Sequence, residues 1–427
     1  MKNIKIKKHT IKSFGGFKNE TIIDFHSKEA SIILGINGAG KSSILNSLYF
    51  SIANSLSFVV GANPLEIGIS QSAITIGETE AEVTTLVSFD SDEQLIFEIG
   101  YRFLMNGQTQ LIGANSSQIR NELTKTYKDY EHGILPIYRY FQTEKNINNS
   151  VVNSQSFNKL ENRIKGYEKH QSKSISVQEI TGFLINQINI ENQAKVEKGD
   201  LNFETPIARY IRETIANFTT ALYGESVGFK VSASKYSSGQ SLVFFKNNQD
   251  IEFLQLSSGE KYVLSVVLEL IYRAASLNPR LFDLKLTPGI VLIDEIESHL
   301  HPSWQLTILS ALQESFPNVQ FIASTHSPLI ASSVKRDQII ALNNFDIIPS
   351  ENIPDVYSGT ADELLDKVLF TNNQIDIFDE KRNEILKLIN RLDFRNAEIK
   401  LADLKSDVSS NPQWINDLER KISFGKA

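Results

Sequence analysis

The sequence predicts an α/β protein whose main sheet is largely parallel. The apolar run SIILG, which begins at Ser31, passes into a glycine-rich loop and then into a stretch with helical spacing. From about residue 250 onward strands and helices alternate, and PGIVLIDE and VQFIAST are predicted to be buried strands. Apolar strands that alternate with helices are typical of a parallel sheet covered on both faces.

The first hundred residues predict strands that form an N-terminal β-subdomain, so the complete sheet structure should be mixed. IKIKKHTIKSF alternates apolar and polar residues, and Gly15-Gly16 supplies a turn before TIIDF. SSILNSLYFSIANSL, which follows the glycine loop, has the spacing of a helix. VTTLVSF and LIFEIGYRF flank the turn-like DSDEQ and predict a hairpin.

The middle of the chain predicts an insertion before the second half of the fold. Residues 146–200 are rich in Asn, Gln and Ser and contain one helical stretch, SVQEITGFLINQINIENQ. An amphipathic helix, ETPIARYIRETIANFTTALY, and three short strands then lead to a second glycine turn, LSSGEK, and to another helix. We therefore expect four regions: an N-terminal lobe with the glycine loop (1–118), a helical and Asn-rich insertion (119–225), a C-terminal lobe (226–348) and a helical tail for assembly or partner docking (349–427).

The composition narrows the possible sites and partners. The chain has no cysteine, so disulfides, thiolate metal sites and cysteine nucleophiles are excluded. A net charge of −7 argues against a uniformly basic surface for nucleic acid. No stretch approaches the roughly 18 apolar residues of a membrane helix, and the Lys-rich start lacks the apolar core of a signal peptide, so a cytoplasmic location is expected. Two basic clusters are interpreted first as solvated faces, with nucleic acid as the alternative: Lys2, Lys5, Lys7, Lys8, Lys12 and Lys18, and Arg163, Lys165, Lys169 and Lys173.

A phosphate-binding loop is predicted from Gly35 to Ser42, where GINGAGKS fits the spacing G-x4-G-K-[ST] between a strand and a helix. Backbone N–H groups of such a loop cradle phosphates, Lys41 offsets the charge of the β- and γ-phosphates, and Ser42 can ligate magnesium. The residues expected to contact the nucleotide from this loop are Asn37, Gly38, Ala39, Gly40, Lys41, Ser42 and Ser43.

Two further strands end in polar residues suited to phosphate chemistry. Asp294 and Glu295 close the apolar strand in VLIDE; Asp294 suits a magnesium link and Glu295 can polarise the attacking water. His326 ends the strand in FIASTHSP, where its imidazole could sense the γ-phosphate.

The order GINGAGKS, LSSGEK, VLIDEIESHLHP and ASTHSP resembles the Walker A, signature, Walker B with D-loop, and switch-histidine motifs of ABC-type ATPases. The spellings LHP and THSP are closest to the soluble branch that contains RecF, the SMC-like repair ATPases and the overcoming-lysogenization-defect (OLD) nucleases. Within that branch the chain looks most like the antiphage-defence ATPases of the Septu (PtuA) type. The resemblance covers about residues 1–50 and 250–345, and it implies an ABC-ATPase head that is a P-loop NTPase.

The resemblance implies that two copies share each ATP and Mg²⁺ site. In this family the signature turn of one subunit closes over the nucleotide held by the other, so Ser257, Ser258, Gly259 and Glu260 are expected to act in trans and the chain is expected to form a homodimer. Lys41, Glu295 and His326 are the expected catalytic residues, and Ser42, Asp294 and Gln142 the expected metal-site residues. Arg139 is an alternative nucleotide contact, and ordinary loop polar residues are the alternative for both Gln142 and Arg139. Glu297, His299 and His301 are expected to make D-loop contacts across the dimer.

Two functions from different classes follow from the resemblance. The first is a slow, regulatory ATPase of a bacterial antiphage system that senses infection and controls a separate effector nuclease of HNH or Toprim type, with assembly beyond a dimer left open. A nuclease domain within the chain is not expected, since the tail has Asp376 and Asp379 but no D-x-D set. The alternative is a RecF-like repair or recombination ATPase that clamps double-stranded DNA, and direct binding of nucleic acid stays open. The LHP and THSP spellings disfavour a transporter subunit.

Overall fold

A computed structural model of the chain describes residues 4–25, 30–60, 71–89, 96–113, 116–129, 132–142, 163–167, 177–234, 239–246, 249–353, 381, 384–389, 391, 393–406 and 413–426. Residues 1–364 form one compact unit and residues 365–427 a second. The strands of the first unit are β1 (Ile4–Lys12), β2 (Thr21–Asp24), β3 (Ala30–Leu34), β4 (Glu80–Phe89), β5 (Ile96–Leu104), β6 (Thr109–Leu111), β7 (Ile137–Phe141), β8 (Gly228–Ala233), β9 (Gln240–Lys246), β10 (Gln249–Glu252), β11 (Gly289–Ile293), β12 (Val319–Thr325), β13 (Ile339–Asn343) and β14 (Asp346–Ile348). Its α-helices are α1 (Lys41–Val60), α2 (Ser116–Lys128), α3 (Val177–Lys198), α4 (Pro206–Tyr223), α5 (Ser258–Leu277), α6 (Pro302–Gln305), α7 (Ile308–Ser315) and α8 (Pro328–Ser332).

The strands of the first unit form three sheets. A five-stranded antiparallel sheet has the order β2-β1-β4-β5-β6, and a three-stranded antiparallel sheet has the order β10-β9-β8. The six-stranded sheet has the order β14-β13-β3-β12-β11-β7 and is parallel except at β14. The predicted fold class, a mixed α/β structure with an N-terminal β-subdomain and a largely parallel main sheet, is confirmed.

The core of the six-stranded sheet consists of strands that are buried along their whole length. Every residue of β3, β7, β11 and β12 is buried. Because the strands run parallel, their carboxyl ends meet at one edge, and the loops that follow them converge there. This edge therefore carries the glycine loop after β3 and the polar residues after β7, β11 and β12.

A bulge in β1 decides which residues of the basic opening segment face the core. The pairing of β1 with β4 shifts register between Ile6 and Lys8, so His9 and Ile11 continue the buried face begun by Ile4 and Ile6. The side-chain amide of Gln320 on β12 then joins the two sheets, since it accepts from the Ile6 N–H at 2.8 Å and donates to the Ile6 carbonyl at 3.1 Å.

The two helices that lead to the C-terminal lobe have clear start signals. Thr205 caps α4, with Pro206 in the first turn and Gly224 in the left-handed conformation at its end. Ser257 caps α5 through a capping box with Glu260. Helix α5 is buried on nearly all sides, which matches its apolar sequence.

Strand β7 differs from the expected regional organisation. It lies within residues 119–225, which were expected to form an insertion, yet it pairs in parallel with β11 as an edge strand of the six-stranded sheet. The run IYRYF has only five residues and precedes a long polar segment, so composition alone did not separate it from the insertion. The hairpin turn DSDEQ and the Asn-rich stretch 146–162 lie outside the described residues.

Arg163 corrects the expectation of a solvated basic cluster at residues 163–173. Its side chain is buried, and its guanidinium donates to the backbone carbonyls of Leu277, Asp129 and Gly133 and to the side chain of Asn278. It thus holds the segment 163–167 against the end of α5. Lys169 and Lys173 lie outside the described residues.

The second unit is helical where it is described, as the tail sequence predicts. Helices α9 (Phe394–Ser406) and α10 (Gln413–Lys426) pack on a small apolar core, and Lys405 and Glu419 form an ion pair between them. The expected helix ADELLDKVLF lies outside the described residues. No helix in the described part of the chain combines the length and apolar character of a membrane span.

Candidate nucleotide-binding site

The phosphate loop joins β3 to α1 and needs glycine at two positions. Gly38 and Gly40 have φ angles of +84° and +104°, a region that residues with a Cβ rarely adopt. A Cβ at Gly40 would also lie 2.7 Å from the ring of Phe345 and 2.9 Å from the ring of Phe17. These two rings pack edge to face at 5.3 Å beside the loop. Gly38 faces open space, as a loop that receives a ligand requires.

Lys41 is buried at the start of α1 with its amine directed back into the loop. Its Nζ donates to the carbonyls of Gly35 at 2.7 Å and Ile36 at 2.9 Å. Burial lowers the pKa of Lys41, while the negative charges of Glu297, Asp294 and Glu295 oppose that shift. The amine is thus held within the loop and close to three carboxylates.

Ser42 and Ser43, which are adjacent in the sequence, have different partners. The hydroxyl of Ser42 donates to both carboxylate oxygens of Asp294, at 3.3 and 3.1 Å. The hydroxyl of Ser43 donates to the carbonyl of Gly15 at 2.8 Å and joins the phosphate loop to the Gly15-Gly16 turn. Among the loop residues, Asn37 is exposed, whereas Ala39 is buried with its carbonyl accepting from the Phe345 N–H at 3.1 Å.

The oxygen atoms around Asp294 fit a magnesium site. Asp294 follows β11, and its N–H donates to the carbonyl of Phe141 at 2.8 Å, so Gln142 lies at the same edge of the sheet. The hydroxyl of Ser324, at the end of β12, also donates to Asp294. Hydroxyl, carboxylate and amide oxygens are the ligands that Mg²⁺ prefers in proteins. Ser42, Asp294 and Gln142 therefore form a chemically suitable set at one sheet edge.

Glu295 lies in a strained backbone position next to Asp294. Its φ is +47°, and its N–H donates to the hydroxyl of Ser324 at 2.8 Å. Its half-buried carboxylate accepts from the Ser298 hydroxyl at 3.3 Å. Ser324 thus contacts both acidic residues, and sequence reasoning did not single it out. A small polar residue near the end of a buried strand, two positions before the predicted histidine, is the signal that could have identified it.

His326 contacts Glu297 of the same chain, and the D-loop contact of Glu297 across a dimer stays a prediction. The imidazole Nδ1 lies 2.8 Å from Glu297 Oε1, and the backbone N–H of His326 donates to the same oxygen at 2.7 Å. His299 and His301 are exposed, and the Nδ1 of His301 caps the short helix α6 by accepting from the Ser303 N–H at 3.3 Å. Their expected role across a dimer stays a prediction.

The signature turn, residues 256–260, presents two exposed serines at the N-terminus of the 20-residue helix α5. Ser257 Oγ donates to the Glu260 carboxylate at 2.7 Å and accepts from the Glu260 N–H at 3.3 Å. Lys246 on β9 forms an ion pair with the same carboxylate. Gly259 is buried, and a Cβ there would lie 2.5 Å from the carbonyl of His299. The turn is therefore held by its own cap, by β9 and by the D-loop.

Arg139 is not placed to contact a nucleotide, contrary to one of the alternatives drawn from the sequence. It is 1% exposed, and its Nε lies 2.6 Å from Glu269 on α5. Arg273, one turn further along α5, donates to the same carboxylate at 2.9 and 2.7 Å and to the carbonyl of Gly166 at 2.6 Å. Burial lowers the pKa of Arg139, and the charge of Glu269 opposes this shift. This buried triad connects β7, the strand before Gln142, to the signature helix.

Comparison with known proteins finds related ATPases. The retron Ec83 probable ATPase of Escherichia coli is 26% identical in an alignment 394 residues long that covers 78% of this chain and 70% of that protein. The retron Vc95 probable ATPase of Vibrio cholerae serotype O1 biovar El Tor is 37% identical over 165 residues, which cover 39% of this chain and only 31% of that protein. The Septu protein PtuA of Bacillus thuringiensis is 31% identical over 139 residues, 30% of this chain and 34% of that protein. The resemblance to Septu-type ATPases drawn from the motifs is confirmed.

Two solved structures align with most of the chain. The SMC head domain from Thermotoga maritima covers 81% of this chain and 98% of its own, with 16% identity and a TM-score of 0.44. The recombination mediator protein RecF covers the same shares, with 13% identity and a TM-score of 0.39.

A family model described as "AAA domain, putative AbiEii toxin, Type IV TA system" matches residues 31–332. The match runs from β3 and the phosphate loop through the signature turn and Asp294 to His326. It covers well over half of the chain, and the chain therefore belongs to this family of ATPases.

Proposed function

We propose that the chain is an ATP-hydrolysing, dimerising ABC-type ATPase of a bacterial antiphage-defence system that regulates a separate effector nuclease. The observation that carries the enzymatic part is the hydrogen bond between Ser42 and Asp294, which brings the phosphate loop against the end of β11. Glu295 and His326 lie at the same edge of the sheet. A bound triphosphate would therefore meet a positive loop on one side and polar catalytic groups on the other.

Each residue of the edge has a role in hydrolysis. When a triphosphate binds, the Lys41 amine exchanges its hydrogen bonds to the loop carbonyls for contacts with the β- and γ-phosphates. Hydrogen bonds between two charged groups are stronger than those to a neutral carbonyl. Glu295 orients the attacking water, and His326 contacts the γ-phosphate. Ser42, Asp294 and Gln142 would hold Mg²⁺, which would neutralise charge on the phosphates when bound.

The signature turn acts on the nucleotide of a second copy. Ser257 and Ser258 are exposed at the N-terminus of a long helix, where unpaired N–H groups and the helix dipole favour an anion. Ser257, the Gly259 amide and Glu260 complete the site in trans, so hydrolysis requires two chains. This dependence on assembly makes a slow, regulatory ATPase the expected behaviour.

The defence role is supported by similarity to retron and Septu proteins. The E. coli retron ATPase matches over 78% of this chain. We propose that the ATPase acts through a partner protein, and we expect an HNH or Toprim nuclease. The C-terminal unit, which lies beyond the matched family region, is the expected docking element for assembly or for that partner.

A RecF-like clamp on double-stranded DNA is less well supported. The lysines of β1 lie among carboxylates: Lys8 is 3.5 Å from Asp24, and Lys12 is paired in register with Glu82. Such mixed charge is a weak electrostatic footprint for a phosphate backbone.

Light scattering gives the mass of the Glu295→Gln variant and tests the proposal. The mass is measured with and without Mg-ATP, first for the variant alone and then for the variant mixed with the product of the neighbouring gene. We expect a mass that doubles with Mg-ATP, ATP hydrolysis reduced at least about a hundredfold, and capture of the neighbour. Lys41→Ala should weaken nucleotide binding, and the surface variant Glu213→Gln serves as a matched control. Normal hydrolysis by Glu295→Gln would refute the role of Glu295, and ATP-dependent binding of double-stranded DNA without a protein partner would favour the RecF-like function.

A further inference from the structure

We propose that Glu297 is a positioning residue that fixes the imidazole of His326 so that its Nε2 faces the γ-phosphate. This inference rests on the proposed ATPase function and adds a residue to its site. Glu297 is not a contact across the dimer in this assignment; it acts within one chain, through the histidine.

The geometry around Glu297 Oε1 defines the orientation of His326. This single oxygen accepts from the backbone N–H of His326 at 2.7 Å and lies 2.8 Å from the imidazole Nδ1. These two contacts fix both the backbone of His326 and the orientation of its imidazole ring. With Nδ1 directed at Glu297, Nε2 is the ring nitrogen left for a ligand, and the histidine side chain is 49% exposed.

Glu297 is kept as a buried acid at an energetic cost. Its side chain is 7% exposed, and its second oxygen, Oε2, has no hydrogen-bond partner in the described part of the chain. Burying a carboxylate with an unsatisfied oxygen is unfavourable, so a neutral residue at this position would stabilise the fold better. The cost indicates that the carboxylate serves the site and not the stability of the fold. The negative charge of Glu297 also opposes the lowering of the Lys41 pKa by burial, so the carboxylate interacts electrostatically with the phosphate-loop amine.

A role for the Glu297 carboxylate follows from where the His326 imidazole carries its protons. A ring that donates from Nδ1 to Glu297 and from Nε2 to a phosphate carries a proton on both nitrogens and a positive charge. The carboxylate of Glu297 balances that charge on the side away from the phosphate. The same arrangement, a carboxylate behind a histidine, sets the tautomer and orientation of the ring in other enzymes.

Glu297 also connects the two loops that carry the proposed catalytic residues. It follows Glu295 by two positions after β11, and it binds the first residue after β12, with which β11 pairs in parallel. A shift of either loop would change the distance between the water-orienting carboxylate and the histidine. Glu297 therefore keeps these two groups in a fixed relation.

A double-mutant cycle with Glu297→Ala and His326→Ala tests whether the carboxylate acts through the histidine. We expect each single variant to lower kcat about ten- to a hundredfold, with little change in the KM for Mg-ATP. The double variant should be no slower than the worse single variant, because the second change removes a group whose partner is already gone. Glu297→Gln, which keeps an acceptor but no charge, should lie between wild type and Glu297→Ala. Losses that multiply in the double variant would overturn the proposal.

A spectroscopic measurement decides the question independently of ATPase activity. In full-length protein labelled with ¹⁵N-histidine, the His326 resonances are assigned by their absence in His326→Ala. We expect a protonated Nδ1 in wild type and in Glu297→Gln, and a shift toward the Nε2–H form in Glu297→Ala; an unchanged tautomer in Glu297→Ala would overturn the assignment. If Glu295→Gln leaves ATP hydrolysis intact, the proposed catalytic site fails while this tautomer test still reports on Glu297. The surface variant Glu213→Gln, with the thermal midpoint of each variant, controls for nonspecific effects.

Discussion

His9 makes the first structural unit sensitive to mild acid. It is fully buried between the sheet and the phosphate-loop helix, with its Nδ1 2.8 Å from Thr85 Oγ1 and its Nε2 2.7 Å from Ser47 Oγ. Burial lowers the pKa of His9 to about 3, against a smaller opposing effect of the Thr84 backbone. The folded unit therefore holds a neutral ring at pH values well above 3.

The pH dependence follows from the difference between the folded and unfolded pKa values. The unfolded chain binds a proton at His9 below its ordinary pKa of 6.5, whereas the folded chain does not until about pH 3. The contribution to stability is complete above pH 6.5 and is lost as pH falls toward 3. Each pH unit inside that window costs about 1.4 kcal/mol, so lowering the pH from 7 to about 5 costs about 2 kcal/mol at this one residue.

Urea unfolding of wild type and His9→Gln at pH 7 and pH 5 measures this cost. Both proteins carry Trp414→Phe, so that Trp304, the remaining tryptophan, reports on the first unit. Gln can bridge the two hydroxyls but does not titrate, so the stability difference between wild type and variant should shift by about 2 kcal/mol between the two pH values. The exposed histidine variant His132→Gln should show no such shift. A difference that stays constant with pH would mean that His9 is not held neutral, and it would refute the reasoning.

Three further changes test how the site is supported. Lys246→Met leaves the Glu260 carboxylate unpaired beside the signature turn, so we expect about a tenfold rise in the Mg-ATP concentration needed for dimerisation, equivalent to about 1.4 kcal/mol. Glu269→Ala leaves two buried arginines without their carboxylate and should lower the free energy of unfolding by about 3–5 kcal/mol, measured by urea unfolding. Gly16→Ala requires an alanine at φ +103° and brings its Cβ into the ring of Phe345; we expect a loss of more than about 2 kcal/mol and weaker ATP binding in a titration.

Each of these three changes has a matched control. Lys230→Met removes an exposed ion pair with Asp250 and should leave dimerisation unchanged. Glu213→Gln changes an exposed carboxylate and should cost little stability. Gly77→Ala has a similar strain, with φ +97° and open space around the Cβ, so it should cost less than Gly16→Ala. Equal losses in a variant and its control would contradict the specific contact proposed.

The motifs and the strands that carry them were predictable because they depend on local sequence. A strand, a glycine loop and a helix in succession predict the phosphate loop, and short runs rich in apolar residues predict β11 and β12. Ser42 and Asp294 were both expected at one magnesium site from their chemistry and from the resemblance, and they are hydrogen-bonded to each other.

The contacts that refine the site were not predictable because they join residues far apart in the sequence. Nothing near Glu297 indicates that it contacts His326, and the role of Arg139 depends on Glu269, 130 residues later. The burial of His9 depends on a bulge that moves it to the inner face of β1, whereas strict alternation would point Lys8 inward. Pairing across distant elements requires the sheet order, which a single sequence does not specify.

The left-handed backbone of Glu295 has a consequence for how the protein tolerates change. A non-glycine residue at φ +47° costs on the order of 1 kcal/mol, so the chain is less stable than a version with glycine or asparagine at this position. Mutations that relieve the strain would be retained by any selection for stability alone, and they would remove the carboxylate that we propose orients water. Stability and activity are therefore opposed at this residue, and a stabilised variant of the enzyme should be checked at Glu295 first.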